Sequence, residues 1–84
     1  MSLISGAQLR AGRALVRMEQ TTLARLASVS AVTVGKLEGS DGPLNARAST
    51  LRALQATLEA AGVEFIDGNR PGVRLREMPE AAPP

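Results

Sequence analysis

The hydrophobic period of the chain changes at Gly62, and this switch constrains the fold more than any other feature. Before it, apolar residues recur at helical spacing, most clearly as Leu51, Leu54, Leu58 and Ala61 at i, i+3, i+7 and i+10. After it, Val63, Glu64, Phe65 and Ile66, and then Val73, Arg74, Leu75 and Arg76, alternate with a period of 2 around a turn-rich stretch that includes Pro71. Two strands so joined suit an antiparallel hairpin, but an isolated two-stranded ribbon is marginal in water. The ribbon must therefore pack on the preceding helices, and 84 residues leave room for one modest core. The expected fold is mainly α, with four helices followed by a short C-terminal β-hairpin or dimerising strand region. The fourth helix can cover one face of the ribbon, while an exposed edge invites the same edge of a second subunit. A homodimer is expected through Val63, Phe65, Ile66, Val73 and Leu75, with strands paired either within one chain or between subunits.

The helices are marked by their punctuation. Ser5 and Gln8 form a capping-box pair that opens helix one, in which Ala7, Ala11, Ala14, Leu15 and Met18 share one side and Arg10, Arg13 and Arg17 make a basic stripe. A short second helix is expected from Gln20 to Ala27, with Leu23, Ala24 and Ala27 inward. Ser30 is a good N-cap for a third helix from Ala31 to Glu38, ended by Gly39. There Val34 and Leu37 point inward, leaving Ala31, Val32, Gly35 and Lys36 on the outer arc. Gly39 to Ala48 reads as a loop, Ser49 as the cap of the fourth helix, and Gly62 as its C′ residue.

Composition removes whole classes of chemistry. The chain has no His, Cys, Trp or Tyr and one aromatic residue, Phe65, so Cys/His zinc sites, Ser-His-Asp triads, thiol catalysis and disulfides are excluded. Its carboxylates are scattered among basic partners, so no enzyme and no cofactor are expected. The net charge of +2 is small but polarised. Residues 1–47 carry six Arg and Lys against three acids, whereas residues 48–84 carry four against five. A basic leader with a long apolar stretch and a run of membrane-spanning length are both missing, so a cytoplasmic protein with no membrane partner is expected.

The segment QTTLARLASVSAVTVGKLEG, residues 20–39, resembles the helix-turn-helix of the lambda-repressor/Cro-like (Xre) family. Gln20, Leu23, Ala24, Val29, Ser30, Val34, Leu37, Glu38 and Gly39 occupy positions where that family has the same or an equivalent residue, and Arg13 matches its arginine seven residues before the glutamine. Helices one and four extend the likeness over residues 5–62. Residues 60–76 look like a short bacterial subgroup that ends AGVEFID…GVRLR. The resemblance implies a helix-turn-helix DNA-binding domain over residues 1–62 and a strand or dimerisation extension over 63–76. Residues 77–84, rich in Pro and Ala, are expected to be a disordered tail.

The implied function is sequence-specific binding of double-stranded DNA by a homodimeric transcriptional regulator. The alternative is an adaptor on the same fold, with a toxin or RNA polymerase as protein partner. In the DNA reading Gln20 donates to a phosphate, Ser30 caps helix three and faces DNA, and Arg17 and Arg47 are phosphate candidates. Ala31 and Val32 are placed to meet thymine methyls, while Thr33 and Lys36 are the polar groups able to reach bases. The resemblance further implies a partly buried Arg13–Glu38 ion pair tying helix one to the end of helix three, with Arg10 left solvated. Three residues depart from the family pattern: Ser28 replaces the turn glycine, Glu19 replaces a small polar residue, and Gly35 lies inside a helix as a packing or DNA-approach position.

Overall fold

The computed structural model describes residues 4–42 and 44–76. The expected tail at 77–84 lies outside the described residues. Four helices, α1 (Gly6–Leu15), α2 (Gln20–Ala27), α3 (Ala31–Glu38) and α4 (Ala48–Ala60), precede two strands, β1 (Val63–Ile66) and β2 (Gly72–Leu75). The strands pair antiparallel within one chain, with Val63 opposite Leu75, Phe65 opposite Val73 and Ile66 opposite Gly72. No helix among the described residues is long and apolar enough to cross a membrane.

The capping box forms as expected: Ser5 Oγ accepts from Gln8 N at 3.1 Å and Gln8 Oε1 accepts from Ser5 N at 2.9 Å. Two helices close on left-handed residues that are not glycine, Arg17 at φ +53° and Ser28 at φ +60°. After α1, Arg17 N donates to Ala14 O and Met18 N to Arg13 O; after α2, Ser28 N donates to Arg25 O and Val29 N to Ala24 O. These are the paired bonds of a Schellman closure, which turns the chain sharply and satisfies the last carbonyls. The turn at Ser28 therefore accepts the left-handed strain that a glycine would avoid.

Ile4, Leu9, Leu23, Val34, Leu54, Leu58 and Val63 are the largest fully buried side chains. The inner face of α1 differs from the expected one. Gln8, Leu9 and Gly12 are buried, whereas Ala11, Ala14 and Leu15 are exposed, and of the expected stripe Met18 packs against the core. Closest approach decides this. A Cβ on Gly12 would lie 3.3 Å from Leu58 Cδ1, 3.4 Å from Val63 Cγ1 and 3.5 Å from Phe65 Cζ, so the glycine marks where α1 meets α4 and β1. Gly6 is tighter still, since a Cβ there would collide with the backbone of Leu37 and Ser40. The start of α1 thus lies directly against the end of α3.

Two further expectations are corrected. Helix α4 starts with Arg47 as its N-cap, two residues ahead of Ser49, which lies within the helix. Val63, expected at a dimer interface, is 1% exposed in its own core, and Phe65 and Val73 pack partly against that core. The alternation explains this, because Val63, Phe65, Val73 and Leu75 share the face of the ribbon turned to the helices. Of the expected dimer residues, Leu75 is 55% exposed and Ile66 is half-buried.

Gln8 also fixes the ribbon. Its Nε2 donates to Ile66 O at 3.1 Å and to Gly72 O at 3.0 Å, the carbonyls of the last strand pair. Gln8→Met keeps the volume but removes these bonds and half of the capping box. It should lower stability by about 2 kcal/mol and speed amide exchange in the hairpin more than in α2 and α3. Ser28→Gly should raise the unfolding free energy by about 1 kcal/mol in denaturant titration, because it relieves the left-handed penalty without touching a core contact.

Candidate functional site

Helix α3 has one face built into the domain and one turned outward. Ser30 caps it: Oγ accepts from Thr33 N at 3.0 Å, and its hydroxyl hydrogen-bonds Thr33 Oγ1 at 2.8 Å. Val34 and Leu37 are buried in the same core as Leu23, Ala24 and Ala27 of α2. The opposite arc carries exposed Ala31, Val32 and Lys36, with Thr33 and Gly35 half-buried. Val32 is 68% exposed, the most exposed of the large hydrophobic residues. A Cβ on Gly35 would meet only Gln20 Oε1, at 3.9 Å. Gly35 therefore has no close packing partner in the domain, which corrects the packing half of its expected role.

The end of α3 is held by a buried carboxylate. Glu38 receives Arg13 through two bonds, Nε to Oε2 at 2.7 Å and Nη2 to Oε1 at 2.8 Å, in the bidentate geometry that gives guanidinium–carboxylate pairs their directionality. Gln20 Nε2 adds a third bond to Oε1 at 2.9 Å, and Arg13 Nη1 also donates to Met18 O at 2.8 Å. The Glu38 side chain is 3% exposed. Burial alone would push its carboxyl up, but the hydrogen bonds from Arg13 and Gln20, with the charges of Arg13 and Arg10, hold it below the usual carboxylate range. The hydrogen bond to Glu38 raises Arg13 against partial desolvation, and the carboxylate charge adds to the rise.

Arg10, expected to be solvated, instead donates to the Glu38 carbonyl and pairs with Asp41. A cation on a terminal carbonyl is favourable at the negative end of a helix. Sequence reasoning missed this role and that of Gln8. The available signal was the spacing of Arg10 one turn before Arg13, matched by Asp41 three residues after Glu38. Gln20, expected on a phosphate, has its amide donor directed to Glu38.

The remaining charges are unequal. Among the described residues the ion pairs are Arg10–Asp41, Arg13–Glu38 and Arg74–Glu64. Within residues 4–47, two of the three acids are thus neutralised, leaving Arg17, Arg25, Lys36 and Arg47 exposed against exposed Glu19. Arg17 sits at the left-handed close of α1, Arg25 on α2, Lys36 on α3 and Arg47 at the start of α4. Elsewhere, an open groove of about 680 Å³ lies between α1 and β2, lined by Ile4, Ala7, Ala11, Pro71 and Val73 among others. No cluster of three or more Asp or Glu able to hold a metal ion occurs among the described residues.

No protein-family model matches the chain, and no match is found among the curated proteins.

Glu38 carries the clearest pH dependence. Its folded-state pKa is depressed, so the stability it contributes is full above the unfolded carboxylate pKa and is lost as pH falls through the lower folded value. Arg13→Met leaves that carboxylate buried without its cation and should cost about 3–5 kcal/mol at neutral pH. The loss should shrink on acidification as Glu38 takes a proton, a trend that urea unfolding at several pH values would measure.

Proposed function

We propose that the protein is a sequence-specific double-stranded DNA-binding transcriptional regulator of the lambda-repressor/Cro-like helix-turn-helix type, acting as a homodimer with α3 in the major groove. One observation carries this reading. A two-turn helix is braced from behind by a buried ion pair, while its outer arc is uncovered and free of acidic side chains. A major groove admits one helix, and its phosphate walls demand cations nearby. Arg17, Arg25, Lys36 and Arg47 are exposed cations available to meet that demand. Glu19 is the opposing charge, and it stands at the N-cap of α2 with no capping hydrogen bond.

A dimer would place two copies of α3 about one helical turn of DNA apart, so the bound site should be a pseudo-palindrome. The uncovered Leu75 and the apolar groove along α1 and β2 supply surface for a second copy. The same groove favours the adaptor reading, in which a protein partner occupies it and DNA contact is secondary.

Selection of duplexes from a random-sequence pool, followed by anisotropy titration at several salt concentrations, separates the two. A regulator gives strong sequence preference with steep salt dependence. An adaptor gives weak preference and a tight protein complex that persists without DNA. On the selected duplex, Arg47→Ala should reduce the slope of log K against log salt by about 1. Its folding stability should stay within about 0.5 kcal/mol, because Arg47 is exposed and caps α4 through backbone alone.

A further inference from the structure

Resting on the DNA reading above, we propose that α3 reads the C5-methyl group of a pyrimidine through Val32 and Ala31, so that thymine and 5-methylcytosine are accepted at the same position and binding responds to cytosine C5 methylation. Val32 is 68% exposed on a helix whose other large apolar residues, Val34 and Leu37, are buried. Ala31 is exposed beside it, and Gly35, one turn after Ala31, carries no side chain. The first turn of the outer arc is therefore methyl-bearing and low in relief.

Hydrogen-bond readout is correspondingly reduced. Ser30 Oγ accepts from Thr33 N and donates its proton to Thr33 Oγ1, so the Ser30 hydroxyl is used by the cap. Gln20 Nε2 gives one N–H to Glu38, and its Oε1 lies by Gly35. Lys36 is a point charge one turn beyond Val32 and suits a phosphate or a guanine edge. Ala31 and Val32 themselves carry no side-chain donor or acceptor that could distinguish the O4 acceptor of thymine from the N4 donor of cytosine. The C5-methyl is the one apolar group that base pairs present in the major groove. The discrimination open to Ala31 and Val32 is therefore on that methyl, and the same methyl is carried by 5-methylcytosine.

The experiment uses the full chain and its selected duplex. At each thymine in turn, two pairs of duplexes are compared, T·A against U·A and 5-methylcytosine·G against C·G, each pair differing by one methyl group. At one or two positions per half-site, removing the methyl should weaken binding about fourfold in both pairs, the size expected for one buried methyl. Val32→Ala should shrink that ratio toward one at the same positions, while salt dependence stays as in the parent protein.

Methyl-independent affinity in both pairs at every position would overturn the inference while leaving sequence-specific DNA binding intact. So would a penalty in the T·A to U·A pair without one in the cytosine pair, since that would place the discrimination on the rest of the base. If the random pool yields no preferred duplex at all, the DNA reading fails and this inference falls with it.

Discussion

The structure depends on a carboxylate taken out of water at the last residue of α3. Glu38 satisfies Arg13 in two bonds and Gln20 in a third, so α1, the start of α2 and the end of α3 meet at one buried charge. A buried pair of this kind adds little net stability over apolar packing, yet displacement of either partner strands a charge at a cost of several kcal/mol. The consequence is orientation. Two helices of eight residues each are too short to hold themselves, and α3 in particular receives its pose from this contact and from Val34 and Leu37 beneath it.

The same contact shapes the electric field of the molecule. Arg13 and Arg10 absorb Glu38 and Asp41, removing two acids from the basic end of the chain and leaving Arg17, Arg25, Lys36 and Arg47 without ion-pair partners among the described residues. Helix α1 is the hub of the arrangement. Arg10 and Arg13 hold the end of α3, while Gln8 and Gly12 hold the hairpin, α4 and β1. The ribbon, marginal alone, gains its order from Gln8 and from Val63 inserted in the common core.

Much of this was legible in the sequence because it follows from local rules. The start of α1, the boundaries of α2 and α3, the caps at Ser5 and Ser30 and the C′ position of Gly62 all rest on residues within a few positions of one another, whereas α1 stops at Leu15, short of Arg17 and Met18, and β2 starts at Gly72, one residue ahead of Val73. The inner face of α1 was not legible. Alanines outnumber larger residues there and dominate a hydrophobic count, whereas burial follows Leu9 and the close approach at Gly12, which a period cannot weigh. Arg10 and Gln8 were missed for a related reason: their partners lie 28 to 64 residues away, and they are polar side chains whose bonds are set by tertiary placement. Val63 was read as interface because an unpaired strand edge looks the same in sequence whether helices or a second copy cover it. The Arg13–Glu38 pair, implied by resemblance, is present with bidentate geometry.

The most direct measurement is an amide chemical-shift map of the full chain during titration with a duplex selected from a random pool. If α3 enters the groove, the largest changes fall on Ala31 to Lys36, with smaller ones at Arg17 and Arg47, while the hairpin amides near Gln8 stay in place. Changes concentrated instead along Ala7, Ala11 and Val73, or spectra that never respond to duplex, would show that the outer arc of α3 is not a DNA-binding surface.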